Sequence, residues 1–498
     1  MANFFITQIT VLQQEGYVFS RFFRWWLSHP LTSSLSAKKG LVKTSKIKLL
    51  IKLCIFYLLL LNLAILLSKH YLFLLPLNAL LYFFPFPLLF LSLFSLLPYE
   101  MINRFLTVKR IRSIIASHPH LSVIGITGSY GKTSVKDYLH TILKVHSPTV
   151  KTPESYNTVF GIAKVVDLEI ISRTKFFICE MGAYVRGEIK ELTNMVPPHF
   201  AILTAIGNQH LERFKTISNT TLAKFELIDS VAPNHALVNL DNPHIKQHLS
   251  KPQYHSVLTY SLLNPHATFY TKVTSYTSDR KTIFTITYQN KIYRFTSSLF
   301  GTSNLYNLTA AISMAFLLQV PYKVIQSQVA LIKPSPHRLE LKKIGKAILI
   351  DNAFSSNEAG FTSLIQDLSG IKGKKVLITP GIIELGKDTS SVHQKIGQLC
   401  SSVFDTIILV GHSDRTRSLE QGVVSSLRAQ HSSAKPRLTV GGKNPYKFSV
   451  IASVIARQSH TTPTVSYIPN STNLWPLVEK LAQEYDWILI ENDLPDNF

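Results

Sequence analysis

The sequence predicts an α/β protein of two lobes carried behind a helical membrane hairpin, and three observations predict it. Two long apolar runs lie near the start of the chain. From about residue 118, short β-branched runs alternate with amphipathic stretches, the pattern of strands and helices in a layered α/β fold. One predicted strand meets one predicted helix through a loop of glycine and small polar residues. The chain has 498 residues, 46% of them apolar and only 16% charged, which excludes a disordered, collagenous or small disulfide-stapled protein. Its three cysteines, Cys54, Cys179 and Cys400, form no CxxC or Cys/His cluster, so neither a disulfide framework nor a zinc site is expected.

The front of the chain accounts for the hairpin. Residues 49–67 hold Lys52 as their only charge and residues 71–97 hold none, and both runs exceed the ~18 residues of a bilayer span. Ser68-Lys69-His70 between them predicts a tight turn, and Pro76, Pro85 and Pro87 predict a kinked or partly re-entrant second span. A buried core hairpin is the alternative; a cleaved signal peptide is disfavoured, because the runs start late and are long. Lys and Arg flank both outer ends, from Arg21 to Lys48 and from Arg104 to Arg112, which predicts both termini in the cytoplasm. Residues 1–117 contain 13 Lys and Arg against 2 acidic residues, close to half of the chain's +23 charge. Much of the basicity therefore reads as membrane anchoring, and no nucleic-acid partner is expected. Phe4, Phe5, Tyr17, Phe22, Phe23, Trp25 and Trp26 give the opening stretch the character of an interfacial helix.

In the body, residues 121–127, 175–181, 200–206 and 235–240 read as buried parallel strands, with helices near 132–144, 187–194 and 219–231. Residues 267–298 alternate at period two and predict a small antiparallel sheet, before a helix from Asn304 to Leu318. Lys333-Pro334-Ser335-Pro336 reads as a linker into a second α/β unit with strands at 347–350, 375–379, 406–410 and 487–491. A site between the two lobes is expected.

The loop Gly125-Ile126-Thr127-Gly128-Ser129-Tyr130-Gly131-Lys132-Thr133-Ser134 carries the chemistry. Glycines let backbone N–H groups approach phosphate oxygens, and the helix that follows adds positive potential. Lys132 would reach the β- and γ-phosphates and Thr133 would hold Mg²⁺, although Ile126 stands where the common loop has its first glycine. This predicts an ATP-type site.

That loop, as ITGSYGKTSVKD, resembles the Mur ligase family, and within it the branch that adds D-alanyl-D-alanine. The resemblance covers about 118–498 and leaves 1–117 out. The apolar runs make 1–117 a membrane anchor, and the resemblance implies a central P-loop ATPase-type parallel-sheet domain at 118–332 and a Rossmann-like C-terminal α/β domain at 333–498. By resemblance, Thr127, Gly128, Ser129, Tyr130, Gly131, Lys132, Thr133 and Ser134 bind ATP. Cys179-Glu180-Met181-Gly182-Ala183 resembles EMGA, whose Glu binds magnesium. His210, in Asn208-Gln209-His210-Leu211-Glu212, matches a His that helps hold a second metal. Lys224, in Ala223-Lys224-Phe225-Glu226, matches a lysine that becomes carbamylated; from the pattern alone it would be one more surface lysine.

Ser155, Asn157 and Thr158 fall in a segment similar to the family's acceptor loop, or form an ordinary Pro/Ser/Asn turn. Gly301-Thr302-Ser303-Asn304-Leu305-Tyr306-Asn307 resembles GxHNxxN, whose last Asn, here Asn307, reads adenine; Ser303 replaces the His, and helix capping by Ser303 or Asn304 is the plainer alternative. Arg338 matches an Arg that reaches ATP from the C-terminal lobe. Asn352 and Phe354 replace an Asp and a Tyr of IDDxYNAN, with Asn352 kept as an ATP contact, and Glu384 lies in a segment like ELG.

The function implied is ATP-dependent peptide ligation in cell-wall precursor synthesis, through an acyl-phosphate, with ATP and two Mg²⁺ sites. Its partners would be a muramoyl-peptide acceptor, D-Ala-D-Ala and membrane lipid, at the bacterial inner membrane with the catalytic domains in the cytoplasm. A lipid-linked acceptor is one alternative. A membrane-tethered ATP-dependent switch or scaffold is another.

Overall fold

The computed structural model describes residues 2–14, 17, 19–28, 41–42, 44–67, 86–153, 156–208, 211–277, 281–353, 357–383, 385–430, 463–469 and 474–491. The chain divides into two compact units, residues 1–106 and 107–498.

In the first unit, helix Ser45–Leu67 contains one membrane-length apolar stretch. A second apolar helix begins at Phe86 and continues to Ala116, well past the apolar run, with Pro98 inside it. It starts between Pro85 and Pro87, and proline suits a first helical turn because the N–H it lacks would be unpaired there anyway. The expected turn at 68–70 and Pro76 lie outside the described residues. Lys46 meets Glu100 at 2.6 Å and Cys54 meets Ser92 at 3.2 Å, so the described helices pair antiparallel, as a hairpin requires. The opening stretch forms two helices, Ala2–Gln14 and Phe19–Ser28. They bury Ile9, Leu12 and Phe22 against Ile47, Leu50 and Leu89.

The second unit holds two sheets. Among the described residues the first has nine strands: β1 (Ser122–Thr127), β2 (Thr149–Lys151), β3 (Phe176–Glu180), β4 (Phe200–Leu203), β5 (Ala236–Asn239), β6 (Leu258–Ser261), β7 (Phe269–Tyr276), β8 (Thr282–Tyr288) and β9 (Lys291–Ser297). Their order is β2-β3-β1-β4-β5-β6-β7-β8-β9. The antiparallel strands expected over 267–298 are present, as an extension of the first sheet. β7 pairs in parallel with β6, and β8 and β9 then turn back antiparallel on the same sheet. Alternation along those strands reports which face is buried; it carries no information about which edge they join.

β1 lies between β3 and β4, so the chain leaves it in one direction and returns on the other side. Ligands of open α/β sheets bind at this switch point, beyond the carboxyl ends of the strands. β1 is buried along almost its whole length and helix Lys132–Leu143 covers it, with Val135, Leu139, Ile142 and Leu143 inward. The second sheet runs β10 (Glu340–Ile344), β11 (Ala347–Asn352), β15 (Trp487–Glu491), β12 (Lys375–Thr379), β13 (Thr406–Val410), β14 (Thr464–Ile468). All its pairings are parallel except β10 with β11.

Candidate active site

The loop that follows β1 is shaped by two glycines. Gly128 has φ +153° and Gly131 φ +84°, and a Cβ on them would stand 2.0 Å from Thr204 Oγ1 and 2.5 Å from Asn307 Oδ1. The loop therefore presses on β4's end on one side and on Asn307 on the other. Ser129 fastens it: its N–H donates to Ala205 O at 2.8 Å, and its hydroxyl accepts from Gly207 N at 3.0 Å. Thr127 donates to Met181 O at 2.8 Å and so ties β1 to the segment after β3.

Lys132 folds back over its own loop, donating to Gly128 O at 2.7 Å and Ser129 O at 3.4 Å. Burial lowers its pKa, against the opposing pull of Glu180. Its ammonium caps the loop carbonyls here, the place from which it would turn to meet a phosphate. Tyr130 and Ser134 line the adjoining cleft.

Register then delivers the carboxylate. Ile126 of β1 pairs with Glu180 of β3, so Glu180 emerges beside the loop. Its Oε2 accepts from Thr133 Oγ1 and from Lys136 Nζ, each at 3.0 Å, and its Oε1 accepts from Asn157 Nδ2 at 3.3 Å. Glu180 and Lys136 are both buried, their side chains 2% and 0% exposed. Burial pushes the Glu180 carboxyl up, but Lys136 and Lys132 outweigh it and hold it below the usual carboxylate range. A buried ion pair is tolerated only when its geometry and hydrogen bonds are good, and here the carboxylate has three donors within 3.3 Å.

Lys224 is buried rather than displayed on a helix surface, which corrects the plain pattern reading. It lines a small cavity of about 30 Å³ with Gly128, Lys132, Asn157, Gly182 and Phe214. Burial first, then repulsion by Lys132, lowers its pKa to about 7. Its neighbour Glu226 accepts from Gly187 N at 2.7 Å and Lys190 N at 2.9 Å, and so anchors the start of helix Glu188–Met195.

A larger cleft of about 290 Å³ opens between the two sheets' lobes, lined by Gly131, Asn307, Arg338, Asn352 and Glu491 among others. Arg338 is held near Glu180 and Asp137, which offset the cost of burying its charge. The lobes are joined beside the cleft: Ser335 donates to Asp137 Oδ2 at 2.8 Å, and Thr302 donates through its backbone N to Asp367 at 2.9 Å. Asn352 lines the cleft, but its amide is committed to the protein. It accepts from Leu339 N at 3.2 Å and donates to Glu491 Oε2 at 2.8 Å.

Lys132, Thr133, Glu180 and Asn157 are thus brought together, with Lys224 across a shared cavity, while Ser134, Tyr130, Asn307, Arg338 and Asn352 surround the cleft. Thr158 is not brought in: it caps helix Val159–Glu169 and lines neither cavity. His210, Ser155, Phe354 and Glu384 lie outside the described residues. Helix Thr302–Leu317 is capped by Gly301, so neither Ser303 nor Asn304 is its N-cap; Asn304 accepts from Tyr138 OH at 2.8 Å instead. Lys136, Asp241 and Glu491 were missed by sequence reasoning. Lys136 sits four residues after Lys132, a spacing that puts both on one helix face. Asp241 follows β5 at the ligand-binding edge of the sheet, where it accepts from Tyr306 OH at 2.9 Å.

Among the described residues no group of three or more His, Cys, Asp and Glu could hold a metal ion. Thr133 and Glu180 do offer a hydroxyl and a carboxylate to one oxygen-loving cation beside the phosphate loop, a donor set that suits Mg²⁺.

The chain is similar to known proteins in sequence and in fold. Residues 126–315 match the family described as the Mur ligase middle domain. A UDP-N-acetylmuramoyl-tripeptide--D-alanyl-D-alanine ligase of Buchnera aphidicola is 26% identical over 371 residues, 73% of this chain and 80% of its own. The Escherichia coli ligase of that name is 25% identical over 304 residues, 60% of this chain and 67% of its own. In fold, the chain is similar to MurF from Acinetobacter baumannii, with a TM-score of 0.63, 20% identity and coverage of 78% of this chain and 77% of that one. It is similar to the same degree to MurF ligase from Thermotoga maritima in complex with ADP, with a TM-score of 0.63, 20% identity and coverage of 79% and 80%.

Proposed function

We propose that the chain is a MurF-like Mur ligase that joins D-Ala-D-Ala to a muramoyl tripeptide at the expense of ATP. The observation that carries this reading is the placement of Glu180, Thr133 and Lys132 at the switch point of the sheet, with a buried amine, Lys224, across the cavity.

A carboxylate does not condense with an amine unaided, because oxide is a poor leaving group. In the proposed reaction a carboxylate oxygen of the acceptor attacks the γ-phosphorus, the bond to the β-bridging oxygen breaks, and ADP leaves. The amine of D-Ala-D-Ala then attacks the acyl-phosphate carbon, loses a proton, and expels inorganic phosphate. The loop N–H groups and Lys132 bind and orient the triphosphate, at the cost of releasing Lys132 from Gly128 O. Arg338 reaches the cleft from the second lobe, so its charge is in place only while the lobes are together. Asn307, against Gly131, and Asn352 bound the nucleoside end of the cleft. Asn157, whose amide meets Glu180 at the small cavity, would contact the acceptor.

Thr133 and Glu180 would hold Mg²⁺, which when bound neutralises phosphate charge. Lys224, with a pKa of about 7, presents a fraction of free amine at neutral pH. That amine can add carbon dioxide and release a proton to give a carbamate, which with His210 would supply ligands to a second Mg²⁺. In this reading residues 1–117 anchor the enzyme in the inner membrane, residues 118–332 form the ATP domain and residues 333–498 the C-terminal domain, both in the cytoplasm. The two membrane-length helices and their basic flanks support that placement. They also favour a second reading of the acceptor, in which the muramoyl peptide is already lipid-linked.

The test is phosphate release by the full chain in detergent with ATP and Mg²⁺. Release should require both a muramoyl tripeptide and D-Ala-D-Ala. Parallel assays with UDP-linked and lipid-linked acceptors distinguish the two carriers. Release that ignores both substrates would leave an ATP-driven switch as the reading.

A further inference from the structure

Helix Val159–Glu169 begins directly after the acceptor loop and packs Val159, Ile162, Val165 and Val166 into the core. Its outer stripe is Phe160, Lys164 and Leu168, at a spacing of four residues, and the turn beyond adds Ile171, Arg173 and Lys175. All six are exposed, Leu168 by 70% and Phe160 by 49%. Scattered apolar side chains on a surface need no explanation, but an apolar stripe rimmed by cations marks a contact surface.

A neighbouring segment extends this face. Arg110 grips Asp167 of the helix through both terminal guanidinium nitrogens, and its segment exposes Lys109 and Arg112. Asp167 is thereby offset by Arg110, and Glu169 is the other exposed acid of the helix, set against Lys164, Arg173 and Lys175.

We infer that this face rests on the anionic surface of the lipid bilayer, with Phe160, Leu168 and Ile171 in the headgroup layer and the surrounding cations on lipid phosphates. Charge and chain both select that occupant. The face pairs apolar with basic side chains, as interfacial membrane segments do. Two helices at the front of the chain, Lys46–Leu67 and Pro87–Ala116, are long and apolar enough to cross a membrane, so with residues 1–117 as an anchor a bilayer is the negatively charged, apolar-cored surface within reach. Docking would bring Asn157, two residues before the helix, towards the membrane and favour an acceptor carried by a lipid. That consequence rests on the ligase reading; the docking itself does not.

The full chain would be reconstituted in nanodiscs of phosphatidylglycerol or of phosphatidylcholine alone, with a nitroxide at Leu168→Cys and a reference label at Ile292→Cys. Ile292 is 72% exposed on β9, and Cys54, Cys179 and Cys400 are buried and should not label. In phosphatidylglycerol the label at 168 should gain access to oxygen and lose access to a water-soluble nickel chelate, while 292 stays in water. Arg173→Glu with Lys175→Glu should lower the lipid-exposed fraction by about tenfold and leave binding of an ATP analogue unchanged. A label at 168 as wet as that at 292 in phosphatidylglycerol would overturn the inference. An equal signal in both discs would overturn the anionic assignment. Protection from both oxygen and nickel, in detergent as in lipid, would show that a protein covers the face and overturn it too. None of these readouts depends on amide formation.

Discussion

Lys136 Nζ lies 3.0 Å from Glu180 Oε2, and water reaches neither side chain. The pair stands at the foot of the phosphate loop, where the helix after β1 passes the end of β3. Lys136 keeps Glu180 ionised in a place where burial alone would protonate it, and so preserves an anionic oxygen for a cation to use.

Removing Lys136 alone should therefore cost more than removing the pair. Lys136→Met strands a buried carboxylate and is expected to destabilise the protein by about 3–5 kcal/mol. Lys136→Met with Glu180→Leu should recover most of that loss. Denaturant unfolding of the three variants checks it; equal stability of single and double variants would show that the pair is not coupled.

Acid should unfold the protein partly through Glu180. Its folded pKa is lower than that of the unfolded chain, so its stabilisation is present above the ordinary carboxylate range and is lost as pH falls through the lowered folded value. The stability of Glu180→Gln should fall less steeply than that of the wild type over that window, measured by thermal unfolding between neutral pH and the acid limit.

Lys224 shows linkage of the same sign at higher pH, with burial opposing its charged form instead of a partner favouring it. Its folded pKa of about 7 lies below the ordinary lysine value, so the unfolded chain binds more protons and stability rises with pH between the two. Lys224→Met should raise the melting temperature near pH 7 while abolishing ligation. Wild-type activity should fall when bicarbonate is stripped, and most steeply below pH 7, where the amine is protonated. Kinetics in carbon-dioxide-free buffer measure this.

The phosphate loop should not accept a side chain. Gly131→Ala places a Cβ against Asn307 Oδ1 at a backbone angle that alanine avoids. ATP affinity should drop by at least about tenfold, roughly 1.4 kcal/mol, with the fold retained, as titration of an ATP analogue would show.

Asn352 makes a less obvious prediction. An aspartate there would match the family's pattern yet set two carboxylates together, because Asn352 Nδ2 donates to Glu491 Oε2. Asn352→Asp should weaken nucleotide binding, and Asn352→Asp with Glu491→Gln should restore it. Binding of ADP to the two variants tests the coupling.

What the sequence disclosed was local. β1, its loop and the following helix occupy consecutive residues, so strand, glycines and lysine could be read as one unit. Glu180 was legible because it ends a strand in a motif of its own. Lys136 was not, because a lysine on an amphipathic helix ordinarily faces water, and only the register of β1 with β3 turns this one inward. Glu491 was out of reach because its partner Asn352 is 139 residues away and only the insertion of β15 beside β11 joins them. The attachment of β7 to β6 was hidden for a similar reason: periodicity marks faces of strands and is silent about neighbours.

The central claim is that ATP at the Gly128–Lys132 loop phosphorylates a carboxylate on the acceptor. Its most direct test is to offer the full chain a muramoyl tripeptide labelled with ¹⁸O in its terminal carboxylate, together with ATP and D-Ala-D-Ala, and to analyse the phosphate released by mass spectrometry. The account predicts one labelled oxygen in the phosphate for each amide formed from a doubly labelled carboxylate. Amide formation with phosphate that carries no label would contradict it.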